Sequence, residues 1–194
     1  MDREAVHEWL VQTLAVSRET LDCLDALVAR VLEEAKQQNL ISAATIPDIW
    51  RRHVLDSAQL HLHASGDTWL DVGAGAGFPG LVNAAIARRN HVLVEPRRIR
   101  ADFLERVASD LGLPVQVRQT SVERVDDIRP DVITARAVAP APKLIQATRH
   151  LAGPSTTWLL HGGRSVADHG YELIPSLTAP DSFLVRITSA SPVR

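Results

Sequence analysis

Asp71-Val72-Gly73-Ala74-Gly75-Ala76-Gly77-Phe78-Pro79-Gly80 is the stretch that decides how this chain folds. Thr68-Trp69-Leu70 runs into it and reads, with Asp71 and Val72, as a short strand. Residues 79–89 follow as a predicted helix, with Pro79 suited to the first turn. A glycine turn between strand and helix lies beyond the strand's carboxyl end, where open parallel sheets bind ligands. Gly73 and Gly75 permit backbone angles closed to other residues and a close approach by a ligand. Glu95 ends the next predicted strand, where a carboxylate is placed to accept hydrogen bonds from ribose hydroxyls.

Outward from the loop, strands and helices alternate. Strands are predicted at 91–95, 114–119, 131–135, 156–161 and 183–188, and helices at 99–111, 142–151 and 165–177. Such alternation implies a mostly parallel sheet covered on both faces. Residues 1–62 read differently. Leu21, Leu24, Leu27, Val28, Val31 and Leu32 fall on one helical face, Ser17 is placed to cap that helix, and Pro47 and Asp48 are placed to open another. Ser65-Gly66-Asp67 marks a turn. The fold expected is α/β: a doubly wound, mostly parallel sheet with an N-terminal helical extension. Residues 1–62 form a helical extension and 63–194 the sheet domain, in one compact unit.

Composition narrows the partners. A formal charge of −2 does not advertise a nucleic-acid binder, but Arg51 and Arg52, Arg88 and Arg89, and Arg97, Arg98 and Arg100 can make a local basic face. Their alternative reading is as solvated helix surface. The single cysteine, Cys23, forms no internal bridge and sits among leucines. Met1 is followed by Asp2, Arg3 and Glu4, unlike a secretory leader, and no apolar run is long enough for a bilayer. A cytoplasmic monomer without membrane contact is expected. His61 and His63 lack a third convergent ligand, so no metal site is expected.

Gly75 to Gly80 matches the G-x-G-x-x-G of dinucleotide enzymes, which by itself is weak evidence. Two details point elsewhere. Asp71 stands two places before Gly73, an arrangement that resembles the first motif of Rossmann-like methyltransferases and implies that the doubly wound sheet is of the class I methyltransferase type. Pro79 has no N–H to offer at the helix start where a pyrophosphate would sit. S-adenosylmethionine carries no phosphate and loses nothing there. A nicotinamide enzyme remains the alternative at this point.

Further motifs sharpen the reading. Asn39-Leu40-Ile41-Ser42-Ala43, Arg52-His53-Val54-Leu55-Asp56-Ser57, Gly77-Phe78-Pro79-Gly80, Ser121-Val122-Glu123 and Ala135-Arg136-Ala137 occur in this order. In order and spacing the chain resembles the RsmG (GidB) family of 16S rRNA guanine-N7 methyltransferases, from about residue 39 to the last strand. The resemblance implies S-adenosylmethionine as cofactor and, as substrate, the guanosine at position 527 of 16S rRNA or the small ribosomal subunit. It implies that Gly73, Phe78, Val122, Glu123 and Arg136 lie at the cofactor. Two departures stand out. Ser121 replaces an arginine common in relatives, and His161-Gly162-Gly163 stands where relatives commonly have Lys-Gly. Arg164 is a candidate for a nearby cation, and Arg52 and His53 are candidates for RNA contact.

The chemistry suits what is missing. Guanine N7 carries a lone pair and no proton, so no catalytic residue is required as a general base. Alignment of nucleophile, methyl carbon and sulfur supplies the catalysis. Pyrimidine C5 methylation needs a cysteine nucleophile, and Cys23 lies in an N-terminal helix. The Asp/Asn-Pro-Pro-aromatic motif of amino-group methyltransferases is absent after the fourth strand. Phe78 can pack on the cofactor, touch the base or anchor the loop. Arg136 can face the ligand or pair with Asp71 or Glu95, and His53 and Asp56, three apart on a helix, can pair with each other. Two other functions stay open: a cofactor-binding ribosome-assembly factor without catalysis, and a methyltransferase with another RNA target.

Overall fold

The computed structural model describes residues 1–163 and 171–189. Among these, seven strands form one sheet: β1 (Thr68–Val72), β2 (Asn90–Val94), β3 (Val115–Arg118), β4 (Val132–Ala135), β5 (Thr157–Gly163), β6 (Glu172–Pro175) and β7 (Ser182–Thr188). Their order is β3-β2-β1-β4-β5-β7-β6, with β1 to β5 parallel and β7 antiparallel to both neighbours. Val72 stands level with Val94 and Ala135, so β1, β2 and β4 end together. That shared edge is where the glycine loop begins.

Side chains alternate across the sheet with the strand period of two. Leu70, Val72, Val92, Ile133 and Leu160 form one face and pack with Leu144 and Ile145 of helix α6 (Ala141–Thr148). Trp69, Val132, Leu159 and Leu184 lie on the other with Leu60, and Leu93 packs there beside helices α4 (Gly80–Ala87) and α5 (Arg98–Asp110). Burial on both faces explains why β4 is a continuous apolar run.

The N-terminal helices α1 (Arg3–Leu14) and α2 (Arg18–Glu34) complete the second face. Ser17 caps α2, its hydroxyl accepting from the Thr20 amide at 3.3 Å. Leu24, Leu27, Val28 and Val31 are buried in the cluster that holds Ala84 of α4 and Phe103 and Leu104 of α5. Arg30–Asp110 and Arg106–Glu34 tie α2 to α5 at its surface.

Two sequence expectations are corrected. Pro47 and Asp48 do not open a helix. They close a 3₁₀ turn, Ala43–Asp48, in which Asp48 pairs with Arg51. A π-helical turn, Trp50–Leu55, follows, then the short α3 (Asp56–Ala58) and a 3₁₀ turn, Gln59–Leu62. The π turn carries Arg52 and His53, and such turns concentrate at functional sites. The helix expected over 165–177 is strand at 172–175, because Leu173 and Ile174 pair with Val185 and Leu184. A ladder with β7 outweighs the weak local pattern. The rest of that expected helix, through residue 170, lies outside the described residues.

At the amino ends of β1 and β2, away from the glycine loop, His61, Trp69 and His91 stack with centroids 5.0 and 5.8 Å apart. His91 Nδ1–H donates to the Arg89 carbonyl at 2.9 Å, and the Nε2 atoms of both histidines are buried without a partner among the described residues. Burial pushes both rings down to about 4, with His91 and Arg89 adding to the effect on His61. Folded-state values below the unfolded ~6.5 mean that the unfolded chain binds protons first as pH falls. Stability is therefore expected to drop between about pH 6.5 and 4, by on the order of 2–3 kcal/mol per ring. Urea midpoints of wild type and His91→Gln across that range check this. Parallel pH profiles for the two would remove His91 from the account.

Candidate functional site

Asp71 holds the glycine loop from beneath. Its Oδ2 accepts the Gly80 amide and its Oδ1 the Thr134 hydroxyl, each at 3.0 Å. Burial pushes its carboxyl up to about 7 against the lowering by those two hydrogen bonds. At the loop's other end, the amides of Gly73 and Ala74 both donate to the Val94 carbonyl. Gly77, at φ +90°, admits no side chain, since a Cβ would lie 2.4 Å from Leu81. Gly75 differs. A Cβ there would meet nothing closer than 3.7 Å, with the Arg100 guanidinium at 4.0 Å. Its bare backbone faces open space.

Glu95 is buried and fastens the loop to the turn before α5. Its Oε2 accepts the Gly75 amide and its Oε1 the Arg97 amide, both at 2.9 Å. Each oxygen keeps a second lone pair for a ligand hydroxyl. After β4, Ala137 takes the left-handed conformation at φ 56°, turning the chain so that Val138 packs against Gly73.

Arg136 sits between these elements and the N-terminal segment. Its guanidinium donates to His53 Nδ1 at 2.6 Å, to the Arg52 carbonyl at 3.1 Å and to Asp56 Oδ2 at 3.4 Å, and lies 5.5 Å from the Phe78 ring centroid. Asp71 and Glu95, the alternative partners the sequence offered, are not the ones it binds, and it lines the cavity. The expected His53–Asp56 pair is likewise replaced: both residues bind Arg136. Because Arg136 donates to His53 Nδ1, the imidazole proton is assigned to Nε2, which donates to Thr45 Oγ1 at 2.9 Å. Thr45 in turn donates to the Ser42 carbonyl at 2.8 Å. Burial, then repulsion by Arg136, pushes His53 down to about 3, so the ring is neutral at neutral pH.

Asp56 is a hub that sequence reasoning missed. Beside Arg136 it accepts from Thr178 at 2.8 Å, Gln59 at 2.8 Å and Ser176 at 3.3 Å, and His161 Nε2 lies 3.2 Å away. Burial opposes its ionisation, yet the charge and hydrogen bond of His161, with Arg136 and Thr178, hold it below the usual carboxylate range. Burial lowers Arg136 as well, and Asp56 offsets this. The pair leaves the cavity floor polar but nearly neutral.

These groups wall a cavity of about 540 Å³ over the sheet's carboxyl edge, a size common for small-molecule sites. Gly73, Gly75, Phe78, Arg136, Arg52 and His53 all line it. Glu95, Val122 and Glu123 are not among its lining. Val122 is buried in the sheet core within a short 3₁₀ turn, Val122–Arg124, and Glu123 beside it is exposed. Phe78 is 4 % exposed and held under His53 and Arg136, so it anchors the loop. His53 faces inward with both ring nitrogens engaged, which leaves Arg52, exposed at the rim, as the RNA-contact candidate of the two. Arg164 lies outside the described residues. Among the described residues no cluster of three or more His, Cys, Asp or Glu side chains could hold a metal.

Known proteins resemble this chain in sequence and in fold. A family model described as rRNA small subunit methyltransferase G matches residues 20–189. Ribosomal RNA small subunit methyltransferase G of Zymomonas mobilis is 41% identical, over 85% of this chain and 79% of the relative. The protein of that name from Cereibacter sphaeroides is 37% identical, over 97% of this chain and 100% of the relative. The solved structure of an RNA methyltransferase from Salinibacter ruber with S-adenosyl-L-homocysteine has the same fold, with a TM-score of 0.52 at 17% identity over 79% of this chain and 95% of that one.

Proposed function

The chain belongs to the rRNA small subunit methyltransferase G family, and from that premise we propose that it methylates N7 of the guanosine at position 527 of 16S rRNA, using S-adenosylmethionine. The observation that carries the reading is the cavity over the glycine loop, in which Arg136, His53 and Asp56 are bound to one another.

The loop fits the cofactor. Gly75 leaves its backbone bare at the cavity, and Glu95 keeps acceptor capacity beside it. Gly73, Gly75 and Glu95 would hold the nucleoside, with Val122 and Glu123 beyond β3 at the adenine and Arg136 toward the reacting end. When bound, S-adenosylmethionine supplies a sulfonium methyl whose carbon–sulfur bond breaks, its electron pair staying on sulfur, as the N7 lone pair bonds carbon. Phe78, buried beneath His53, closes the floor to water.

Neither His53 nor Asp56 is poised to remove a proton. His53 Nδ1 is taken by Arg136, and Asp56 is saturated with donors and a weak base. That suits a nucleophile with no proton to lose, because catalysis then reduces to alignment. The substrate implies a cytoplasmic enzyme, and no helix among the described residues is long and apolar enough to cross a membrane. A monomer suffices, since one chain supplies every residue named. We read residues 1–62 as a helical extension that walls the site of the sheet domain, 63–194.

Incubation with methyl-labelled cofactor and small-subunit rRNA, then digestion to nucleosides, is expected to place the label in 7-methylguanosine. Mapping should locate it at position 527. Label in another nucleoside, or none, would overturn the assignment.

A further inference from the structure

The arginines around the glycine loop differ in what already holds them. Arg51 is bound to Asp48 and to the Thr178 carbonyl, and Arg98 pairs with Asp102 one turn along α5. Arg52 is exposed, and its side chain has no partner among the described residues. Arg100 is half-buried and gives one N–H to the Asn39 carbonyl at 2.9 Å. Both line the cavity. Resting on the methyl-transfer reading, we propose that Arg52 and Arg100 form a phosphate clamp that grips the RNA backbone on either side of the target nucleotide.

Among the described residues that line the cavity, the guanidinium groups are those of Arg52, Arg100 and Arg136, and the carboxylate is that of Asp56. Asp56 is paired with Arg136, so Arg52 and Arg100 are left without a counter-ion. The whole chain carries −2, so this local excess does not come from general basicity. The cofactor does not balance it. S-adenosylmethionine sets an ammonium and a sulfonium against one carboxylate and is itself a net cation. A polyanion does balance it, and phosphate oxygens match the planar fork of arginine.

Arg100 lies in the first turn of α5, which follows β2. The carbonyl of Arg52 accepts from Arg136, which follows β4. Since β2 and β4 flank β1, the two arginines reach the cavity from opposite sides of the glycine loop, across strands about 10 Å apart. Arg100 Nη1 lies 4.0 Å from the point that a Cβ on Gly75 would occupy, and the bond to Asn39 holds it there in advance of a ligand. A base turned out of its strand into the cavity leaves a phosphate on each side of its sugar at the opening. Phosphate contacts fix register and carry no sequence information. The clamp therefore acts on affinity for RNA and leaves the identity of the methylated base alone.

Binding of the full chain to small-subunit rRNA over a range of salt reads these contacts. Arg52→Gln and Arg100→Gln are each expected to reduce the slope of log affinity against log salt by about 0.7, the loss of one single-strand phosphate contact. Each should weaken rRNA binding at low salt by about tenfold. Arg100→Lys should keep the slope. Arg18→Gln, which removes an exposed arginine outside the cavity lining, should change neither quantity. Calorimetric affinity for S-adenosylhomocysteine should be unaltered in every variant. Unchanged slopes in both cavity variants, or an equal loss with Arg18→Gln, would overturn the clamp even where wild type transfers methyl groups. Weakened S-adenosylhomocysteine binding by Arg100→Gln with rRNA binding intact would overturn it too, since that arginine would then serve the cofactor's carboxylate. Slope losses confined to the cavity arginines, in a protein that transfers no methyl group, would support the clamp while ending the methyl-transfer reading.

Discussion

Asp56→Ala is expected to destabilise the protein by about 3–5 kcal/mol, the range for removing one partner of a buried ion pair. For a chain of this size that is a fall in Tm of about 10 °C. The residue is 7 % exposed, and its carboxylate joins three parts of the fold: the π turn and α3, the ends of β4 and β5 through Arg136 and His161, and the β6–β7 turn through Ser176 and Thr178. Alanine leaves Arg136 buried without its anion, and leaves the Gln59 and Thr178 donors short of an acceptor. Asp56→Asn should rescue little, because an amide that accepts from Thr178 and Gln59 turns an N–H₂ toward Arg136 and His161. The sign with pH follows from the depressed folded-state value. The contribution is fully present above the unfolded carboxylate value of about 3.9 and is lost as pH falls further. Thermal unfolding of the three proteins at pH 7 and pH 3 checks it. An unchanged Tm for the alanine variant would mean that the hub holds nothing together.

What the sequence disclosed was what local rules encode. The glycine loop announced itself because Gly77 admits no Cβ and Asp71 must reach the amide at its far end, nine residues on. The parallel strands were readable because burial on both faces leaves runs such as Val132 to Ala135 without polar interruption. Ser17 was readable as a cap because its hydroxyl acts three residues away. Long-range pairing was not readable. Asp56 meets Arg136, His161 and Thr178 across separations of 80 to 122 residues, and no periodicity marks such a meeting. The same blindness left Asp71 and Glu95, on or just after neighbouring strands, as the alternative partners the sequence could offer for Arg136. β6 escaped because its identity depends on the edge of β7 and not on its own four residues. Phe183 read only as the opening of a strand. Its place at the cavity depends on the register of β7 against β5, which sets Phe183 opposite Gly162, and only the ladder fixes that.

Arg136→Ala is expected to lower kcat/KM for methyl transfer by about a hundredfold or more, equivalent to a loss of about 3 kcal/mol of transition-state stabilisation. The arginine lies on the cavity floor, and its remaining guanidinium N–H groups have no acceptor among the described residues. Those groups are available to a bound ligand. The fold should survive, because Asp56 keeps Thr178, Gln59, Ser176 and His161, and His53 loses only a donor to a neutral nitrogen. Stability and activity thus separate here, whereas at Asp56 they fall together. Arg136→Lys tests geometry against charge. A single ammonium cannot reach His53 Nδ1, the Arg52 carbonyl and Asp56 in one fork. It should therefore recover part of the cofactor affinity and little of the turnover. Calorimetry with S-adenosylmethionine, single-turnover transfer to rRNA and circular dichroism on the same preparations separate these effects. Wild-type kinetics in the alanine variant would remove Arg136 from the reaction and leave it as a strut between the sheet and the π turn.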